Sequence, residues 1–222
     1  MKLKVIITGA TGMVGEGILQ ECIANPKVEK ILLINRKPTG VVHPKVTEIL
    51  HSNFNDISPV LEQLKGYDAC YFCLGVSSVG MKEPAYYAVT YTLTLNFAGA
   101  LAAVNPGMTF VYVSGAGTDS TEKGRSMWAR VKGKTENDLT KLPFKAVYNF
   151  RPAFMKASKG AKNIPSLYKV FSVLYFLRAV FPNYFLTLQE VGKAMINITI
   201  NGYPQHTIAV KDIALLAREQ AD

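Results

Sequence analysis

The sequence predicts an α/β fold in which a doubly wound parallel sheet carries helices on both faces. Two observations lead to this prediction. Short, continuously apolar runs such as KVIIT (4–8) and ACYFC (69–73) alternate with stretches of helical spacing from the first residues onward. Continuous apolar runs are typical of parallel strands, which are buried on both faces. No repeat, low-complexity tract or linker interrupts the 222 residues, so we expect one domain over 1–222.

The predicted elements alternate regularly along the chain. Strands are predicted at 2–8, 29–36, 46–50, 69–75, 109–115 and 145–152. Helices are predicted at 13–25, 57–65, 84–103 and 126–140. The tail from residue 187 onward is predicted to form a helix, a strand and a final helix.

One apolar segment, 165–188, does not fit this alternation. Lys169, Arg178 and Pro182 interrupt it before it reaches the ~20 residues that a membrane-spanning helix needs. It could be a lid over a pocket, a self-association surface or a contact with a membrane interface. Its apolarity without a strong polar face favours burial. We therefore predict a small C-terminal helical lid, with 156–190 as a substrate-side insertion and no transmembrane segment.

Positive charge is concentrated in one part of the chain. The formal net charge is +9, and the stretch 123–169 holds twelve lysines and arginines against two acids. Such a focused field suits an anionic ligand, for example a phosphorylated cofactor. Nucleic acid is disfavoured as a partner, because the sequence lacks a helix-turn-helix, a zinc finger, an aromatic RNA-binding strand signature and an arginine-rich tail.

Cysteine and histidine usage predicts neither disulfides nor a metal site. Cys22, Cys70 and Cys73 are too few for a disulfide framework, and the three histidines are scattered. Cys70 and Cys73 lie inside an apolar strand, which predicts buried, reduced thiols. The N-terminal apolar run is too short for a secretory signal. These features predict a cytoplasmic location.

A glycine-rich loop joins the first strand to the first helix. In VIITGATGMVGEGILQ, Gly9 permits a tight turn, Gly12 allows the backbone to approach a pyrophosphate, and Gly15 lets the helix lie close to the sheet. The helix N-terminus adds free amides and a partial positive charge. The strand before and the apolar helix after the loop favour a dinucleotide site over a merely tight turn.

The end of the second strand predicts which dinucleotide is bound. A site for NAD places an acid there to bind the ribose diol, and a site for NADP places an arginine there. This chain has Asn35, Arg36 and Lys37. Arg36 can bind a 2′-phosphate through two hydrogen bonds and stack on adenine, and Lys37 adds charge. NADP(H) is therefore preferred over NAD(H).

The glycine spacing in TGATGMVG, GxxGxxG, resembles that of the atypical and extended short-chain dehydrogenase/reductases. This group is also described as NAD-dependent epimerase/dehydratase-like, and the chain is most similar to its small NmrA-like and Tat-interacting-oxidoreductase-like members. The likeness covers nearly the whole chain. It implies a Rossmann-type fold, an NAD(P) cofactor and a possible homodimer that pairs through the helices near 84–103 and 126–140.

The resemblance also implies roles for the loops on the cofactor side. SNFND (52–56) matches the adenine-side loop, with Asn53 in place of the usual Asp and Phe54 packing on the adenine. Leu74 and Gly75 match the loop beside the ribose. The full set of expected cofactor contacts is Gly9, Thr11, Gly12, Met13, Val14, Gly15, Arg36, Lys37, Phe54, Leu74, Gly75, Lys132 and Pro152.

Three further positions match toward the reactive end of the cofactor. Asn96 falls where many members carry a structural or catalytic Asn. VSGAG places Ser114 where the family carries its catalytic Ser or Thr, and FRP places Pro152 in the turn that touches the nicotinamide.

The stretch SMWARVKGK departs from the family pattern. Family enzymes carry Tyr-x-x-x-Lys here, in which the lysine binds the nicotinamide ribose and lowers the pKa of a tyrosine one helical turn away. In this chain Lys132 is kept, but the tyrosine is Trp128, whose indole cannot serve as a general acid. The catalytic residues expected from the resemblance are therefore Ser114 and Lys132, with the proton donor unassigned.

Three interpretations remain for this stretch. In the first, the protein is a catalytically silent, NADP(H)-dependent sensor or regulatory binding protein. In the second, it is an oxidoreductase that transfers hydride to a small carbonyl or quinone-like substrate. Its proton then comes from Tyr86, Tyr87, Tyr91 or a water held by Ser114 and Lys132. In the third, the helix face serves packing and solvation alone. The second interpretation is favoured slightly over the first.

Overall fold

A seven-stranded parallel sheet forms the centre of the molecule. The computed structural model describes residues 2–157, 175 and 184–219. The strands of this sheet are β1 Leu3–Thr8, β2 Val28–Asn35, β3 Val46–Leu50, β4 Ala69–Phe72, β5 Thr109–Val113, β6 Ala146–Arg151 and β9 Thr207–Ala209. Their order in the sheet is β3-β2-β1-β4-β5-β6-β9, and every pair is parallel. The predicted doubly wound, Rossmann-type α/β fold is confirmed.

Helices cover both faces of the sheet. The helices are α1 Met13–Ala24, α2 Glu83–Tyr87, α3 Leu93–Val104, α4 Met127–Leu139, α5 Leu188–Asn201 and α6 Val210–Leu216. On one face, Ile18 of α1, Met195 of α5 and Ile213 of α6 share a buried cluster with the strands. On the other, Phe97 of α3 and Leu139 of α4 share a second cluster. The sheet is therefore packed between two apolar cores. The carboxyl ends of its parallel strands lie along one edge, and open α/β sheets bind ligands at that edge.

The long helix after β4 is continuous over Glu83–Val104, because a π-helical turn at Ala88–Thr92 joins α2 to α3. Among the described residues, it is the helix whose length and mean hydropathy of 1.3 would allow it to cross a membrane. A helix that packs on the sheet of an α/β protein passes the same criteria. Phe97, Ala98 and Leu101 are buried, so this helix is part of the layered fold.

The helix expected at 57–65 is a 3-10 helix, Ser58–Leu64. Pro59 lies in its first turn, and the backbone N–H of Lys65 bonds to the carbonyl of Glu62 in the i to i+3 pattern of a tightened turn. The remaining predicted strands and helices lie within a few residues of their expected positions. The cysteines are free: Cys22 and Cys70 are buried, and Cys73 is half-buried.

The tail returns to the same sheet. Its strand β9 pairs with β6, and its helix α5 begins with a capping box in which the side chains of Thr187 and Glu190 bond to each other's backbone amides. Two short strands, β7 Phe154–Lys156 and β8 Phe185–Thr187, pair in parallel. The predicted lid, 156–190, lies largely outside the described residues, and its role stays a prediction.

Candidate functional site

The glycine loop brings β1, α1 and β4 into close contact. Gly9 has a φ of +70°, and a Cβ there would lie 2.9 Å from backbone atoms of Cys73 and Leu74. A Cβ on Gly15 would lie 2.3 Å from the carbonyl oxygen of Gly9. Real Cβ atoms do not approach so closely, so both positions require glycine. The close packing leads the chain directly from the end of β1 into the first turn of α1.

The N-terminus of α1 faces a cleft. The N-cap of this helix is Gly12, which has no side chain to cap it, so the first-turn amides are left for a ligand. The cleft holds about 180 Å³. It is lined by Gly9, Thr11, Gly12, Ile34, Asn35, Arg36, Cys73, Leu74 and Gly75. Six of the expected cofactor contacts thus border one space. Of the others in the loop, Met13 is buried and Val14 half-buried in the first turn of α1.

The turn after β2 carries the positive charge of this cleft. Arg36 and Lys37 are exposed on it, and Asn35, at the end of the strand, is 2% exposed. The side-chain Oδ1 of Asn35 accepts a hydrogen bond from the Ala10 amide at 3.1 Å. Its Nδ2 donates to Oε1 of Glu48, on β3, at 2.8 Å. The second strand therefore ends in an amide that is bonded on both sides, not in a free carboxylate.

Phe54 lies differently from the expectation. Its ring is 2% exposed and stacks on Phe97 of α3, with the ring centroids 5.8 Å apart. Little of its surface is left for an adenine. The loop around it is held by His51, whose Nε2 lies 2.7 Å from the carbonyl oxygen of Asn53. Asn96 is exposed on α3.

Ser114 and Pro152 directly follow the neighbouring strands β5 and β6. Ser114 is 5% exposed, and both its amide and its hydroxyl donate to the carbonyl oxygen of Phe150, at 2.9 and 3.1 Å. The carbonyl of Pro152 accepts from the Ala116 amide at 2.8 Å. The loop that begins at Ser114 is thereby fastened to the end of β6, on the sheet edge that also carries the glycine loop.

Helix α4 presents Trp128 and Lys132 toward this loop. The ammonium group of Lys132 donates a hydrogen bond to the carbonyl oxygen of Ser114. The indole of Trp128 packs over Gly117, where a Cβ would lie 3.3 Å from the ring. Gly133 allows α4 to approach the loop, because a Cβ there would lie 1.8 Å from the carbonyl oxygen of Asp119. The predicted pair Ser114 and Lys132 is thus in direct contact.

Burial changes the acid-base behaviour of Lys132. Removal from water disfavours the charged form and lowers its pKa to about 8, although the carboxylate of Glu136 acts in the opposite direction. That carboxylate is 2% exposed and is already bound to Arg151, whose Nε lies 3.0 Å from Oε1. The ammonium of Lys132 can therefore lose its proton at a pH of about 8.

The ion pair between Glu136 and Arg151 was not anticipated from the sequence. It joins α4 to β6, and the guanidinium approaches the carboxylate through both Nε and Nη2. The sequence held one signal for the position of Glu136. Trp128, Lys132 and Glu136 follow one another at intervals of four residues, which places all three on one helix face.

The three tyrosines considered as proton donors are differently placed. Tyr86 is 1% exposed, and burial raises the pKa of its hydroxyl. The hydroxyl of Tyr91 donates to Oδ2 of Asp138 at 2.8 Å. Burial, and to a smaller extent this hydrogen bond, raise the pKa of Tyr91 to about 12. The ring of Tyr87 packs against that of Tyr91, with centroids 4.6 Å apart. None of these contacts joins a tyrosine hydroxyl to Ser114 or Lys132.

A family model agrees with this arrangement. The model of the NAD dependent epimerase/dehydratase family matches residues 5–127, more than half of the chain. The chain belongs to this family. The matched part begins in β1 and includes the glycine loop, the turn after β2 and Ser114, and it ends at the first residue of α4.

Curated relatives of this family member come from fungi. The protein FMP52, mitochondrial, of Meyerozyma guilliermondii is 27% identical over 203 residues, which cover 87% of this chain and 84% of the relative. The leucinostatins biosynthesis cluster protein T of Purpureocillium lilacinum is 31% identical over 144 residues, 63% of this chain and 52% of the relative. The cytoplasmic location predicted from the sequence is wrong, because five of the curated relatives are named mitochondrial proteins.

Solved structures with low sequence identity share the fold. The Bordetella bronchiseptica enzyme WbmF, in complex with NAD+ and UDP, matches with a TM-score of 0.67 at 15% identity over 96% of this chain and 76% of that one. The UDP-N-acetylglucosamine 4-epimerase of Methanobrevibacter ruminantium M1 matches with a TM-score of 0.66 at 15% identity, over 93% of this chain and 76% of that one.

Proposed function

We propose that this protein binds NADP(H) and transfers hydride to a small carbonyl or quinone-like substrate. The observation that carries the proposal is the cleft at the end of β1. Glycine backbone, the uncapped N-terminus of α1 and the Arg36 guanidinium border one space there. Backbone amides and an arginine fit the pyrophosphate and a 2′-phosphate of a dinucleotide. The NAD+ complexes of structural neighbours support a nicotinamide cofactor.

The preference for NADP(H) rests on charge at the turn after β2. An enzyme selective for NAD uses a carboxylate at this position, which would repel a 2′-phosphate. Here the strand ends at Asn35, and Arg36 and Lys37 follow it, both exposed. A guanidinium offers a phosphate two parallel, charge-assisted hydrogen bonds. Binding of NADPH should therefore exceed binding of NADH.

The chemistry proposed for the reactive end depends on Lys132 and Ser114. NADPH, when bound, supplies the hydride for the carbonyl carbon. The carbonyl oxygen then needs a proton, and we assign it to the ammonium of Lys132, which becomes a neutral amine and is reprotonated from solvent. Ser114 would orient the same oxygen. To donate to it, the Ser114 hydroxyl must exchange its bond to the Phe150 carbonyl for one to the substrate.

A second cleft provides space for the substrate. It holds about 420 Å³ and is lined by Ala116, Gly117, Arg151, Tyr184, Ala209, Val210 and Lys211. Ala116 and Gly117 belong to the loop that begins at Ser114, so this space adjoins the reactive end of the site. Its wall is mostly apolar and carries Lys211 together with Arg151, whose guanidinium is already paired with Glu136. This composition supports a small carbonyl compound with an apolar body and an anionic group.

A hydride-transfer screen tests the proposal. The purified protein is mixed with NADPH or NADH and with panels of aldehydes, α-dicarbonyls and quinones, each with and without a carboxylate. Cofactor oxidation is followed by its absorbance. We expect oxidation of NADPH, faster than that of NADH, with at least one substrate class. Tight NADPH binding without turnover on any panel would contradict the oxidoreductase proposal.

A catalytically silent NADP(H) sensor is the second candidate. Two observations favour it: the family tyrosine is replaced by Trp128, which covers Gly117, and the Ser114 hydroxyl is bound to a backbone carbonyl. Such a protein would bind NADPH and NADP+ with different affinities and change its stability accordingly. Binding without turnover, together with a difference between the two redox forms, is its expected signature.

A further inference from the structure

The carboxylate of Glu48 lies beneath the turn that carries Arg36. Oε1 of Glu48 accepts from Nδ2 of Asn35 at 2.8 Å, and the same oxygen accepts from the backbone amide of Thr39 at 3.1 Å. Oε2 lies 3.3 Å from that amide. Asn35 and Thr39 are the first and last residues of the turn 35–39. One carboxylate therefore ties both ends of the turn together.

The same network reaches the glycine loop. Asn35 accepts from the Ala10 amide through Oδ1 while it donates to Glu48 through Nδ2. An asparagine amide has distinct donor and acceptor ends, so the bond to Glu48 fixes which end faces Ala10. Glu48 is half-buried on β3, where its backbone pairs with Leu33 of β2. It reaches the turn from the neighbouring strand.

We propose that Glu48 is a positioning residue for cofactor selection: it holds the turn 35–39 closed so that the guanidinium of Arg36 faces the 2′-phosphate of NADP(H). This inference rests on the proposed NADP(H) function. Arg36 and Lys37 are exposed, so their own contacts do not hold the turn. Without the carboxylate the turn samples more conformations, and ordering it on binding reduces affinity for the phosphorylated cofactor.

The opposite role for Glu48 is chemically distinct. A carboxylate near an adenosine ribose can accept bonds from its 2′ and 3′ hydroxyls and repel a 2′-phosphate, which favours NADH. In that role the charge matters, and removal of it should strengthen NADPH binding. In the positioning role the hydrogen-bond acceptor matters, and a neutral amide at the same place should still hold the turn in part. The two roles therefore predict opposite responses to Glu48→Gln.

Calorimetric titration of the full chain with NADPH and NADH tests the inference on wild type, Glu48→Gln and Glu48→Ala. Glu62→Ala is the matched control, because this carboxylate is exposed and pairs with Lys65 on the 3-10 helix. We expect Glu48→Ala to weaken NADPH binding by about tenfold and NADH binding by less than about threefold, since part of one charge-assisted bond is lost. Glu48→Gln should lie between wild type and Glu48→Ala, and Glu62→Ala should match wild type.

Each result has a separate meaning. If the wild-type protein binds neither cofactor, the proposed function is overturned. If the wild-type protein binds NADPH and both Glu48 variants bind it with the same affinity, only the positioning role is overturned. Tighter NADPH binding in Glu48→Gln also overturns it, in favour of the ribose-binding role. Thermal unfolding of each variant checks that the fold is intact, and Glu48→Gln keeps the test valid if Glu48→Ala is unstable.

Discussion

In the proposed mechanism, the chemistry of the site depends on Lys132. Its ammonium is bound to the Ser114 carbonyl and is shielded from water, and its pKa is lowered to about 8. The nearest counter-charge, Glu136, is held by Arg151. A buried cation whose partner is already occupied gives up a proton more easily than an exposed one. In the proposed mechanism, the lysine itself supplies the proton that a family tyrosine would supply.

The pH dependence of turnover tests this role. The lysine must be protonated to donate, so the rate of carbonyl reduction should be constant below its pKa and fall as the pH rises through about 8. Lys132→Met should reduce kcat by about a hundredfold or more, as the loss of a general acid does. Steady-state rates measured across this pH range on both proteins provide the check.

Tyr91→Phe is the matched control for this prediction, because the hydroxyl of Tyr91 is bound to Asp138. It should leave kcat and its pH dependence unchanged. A Lys132→Met variant with wild-type kcat, or a Tyr91→Phe variant without turnover, would remove Lys132 from the role of proton donor.

At the residue scale, the family resemblance predicted Ser114 and Lys132 as one pair of site residues, on a strand end and a helix face that are both visible in the sequence. The structure brings the two into contact. The bonds of Glu48 to Asn35 and of Glu136 to Arg151 depend on which strand lies beside which. The pairing partners of a strand are not encoded in its own pattern. The burial of Phe54 against Phe97 could not be predicted for the same reason.

At the element scale, the packing of α1 on β1 and β4 shapes the cleft. Gly15 places the first turn of α1 against the carbonyl of Gly9, and Gly9 places the loop against the backbone of Cys73 and Leu74. A methyl group at either position must move the helix away from the sheet. The amides at the N-terminus of α1 would then leave the position that a pyrophosphate requires.

Alanine substitution of two glycines measures this effect. Gly15→Ala should lower the free energy of unfolding by about 1–3 kcal/mol, as overpacking does, and weaken NADPH binding. Gly99→Ala is the control within a helix, because a Cβ there meets nothing within 4 Å. It should raise stability by about 0.5–1 kcal/mol, since alanine favours the helix. Urea unfolding and calorimetry give both quantities, and equal values for Gly15→Ala and wild type would contradict the packing argument.

The elements themselves were largely predictable. Central strands carry continuous apolar runs, and long helices carry regular apolar spacing, so both patterns are visible without tertiary information. The 57–65 segment is a 3-10 helix because it is short and contains Pro59 in its first turn. That β9 joins the same sheet through β6 depends on a long-range pairing, which three residues cannot specify alone.

At the scale of the whole molecule, the two clefts lie on one edge of the sheet. The cleft with Arg36 follows β1, β2 and β4, and the cleft with Arg151 follows β5, β6 and β9. The strand order reverses between β1 and β4, because β2 and β3 lie on one side of β1 and the later strands lie on the other. Open α/β sheets bind dinucleotides at such a switch point. A cofactor that extends from one cleft toward the other would bring its reactive end to Ser114 and Lys132.

The central claim is that the Arg36 cleft binds a dinucleotide with a 2′-phosphate. Calorimetric titration with NADPH and NADH, on wild type and Arg36→Ala, tests it most directly, with the exposed Arg125→Ala as control for loss of charge alone. We predict that wild type binds NADPH more tightly than NADH. We also predict that Arg36→Ala loses about 1–3 kcal/mol of NADPH binding and little of NADH binding, while Arg125→Ala binds as wild type does. Equal binding of the two cofactors by wild type, or NADPH affinity unchanged in Arg36→Ala, would contradict the account.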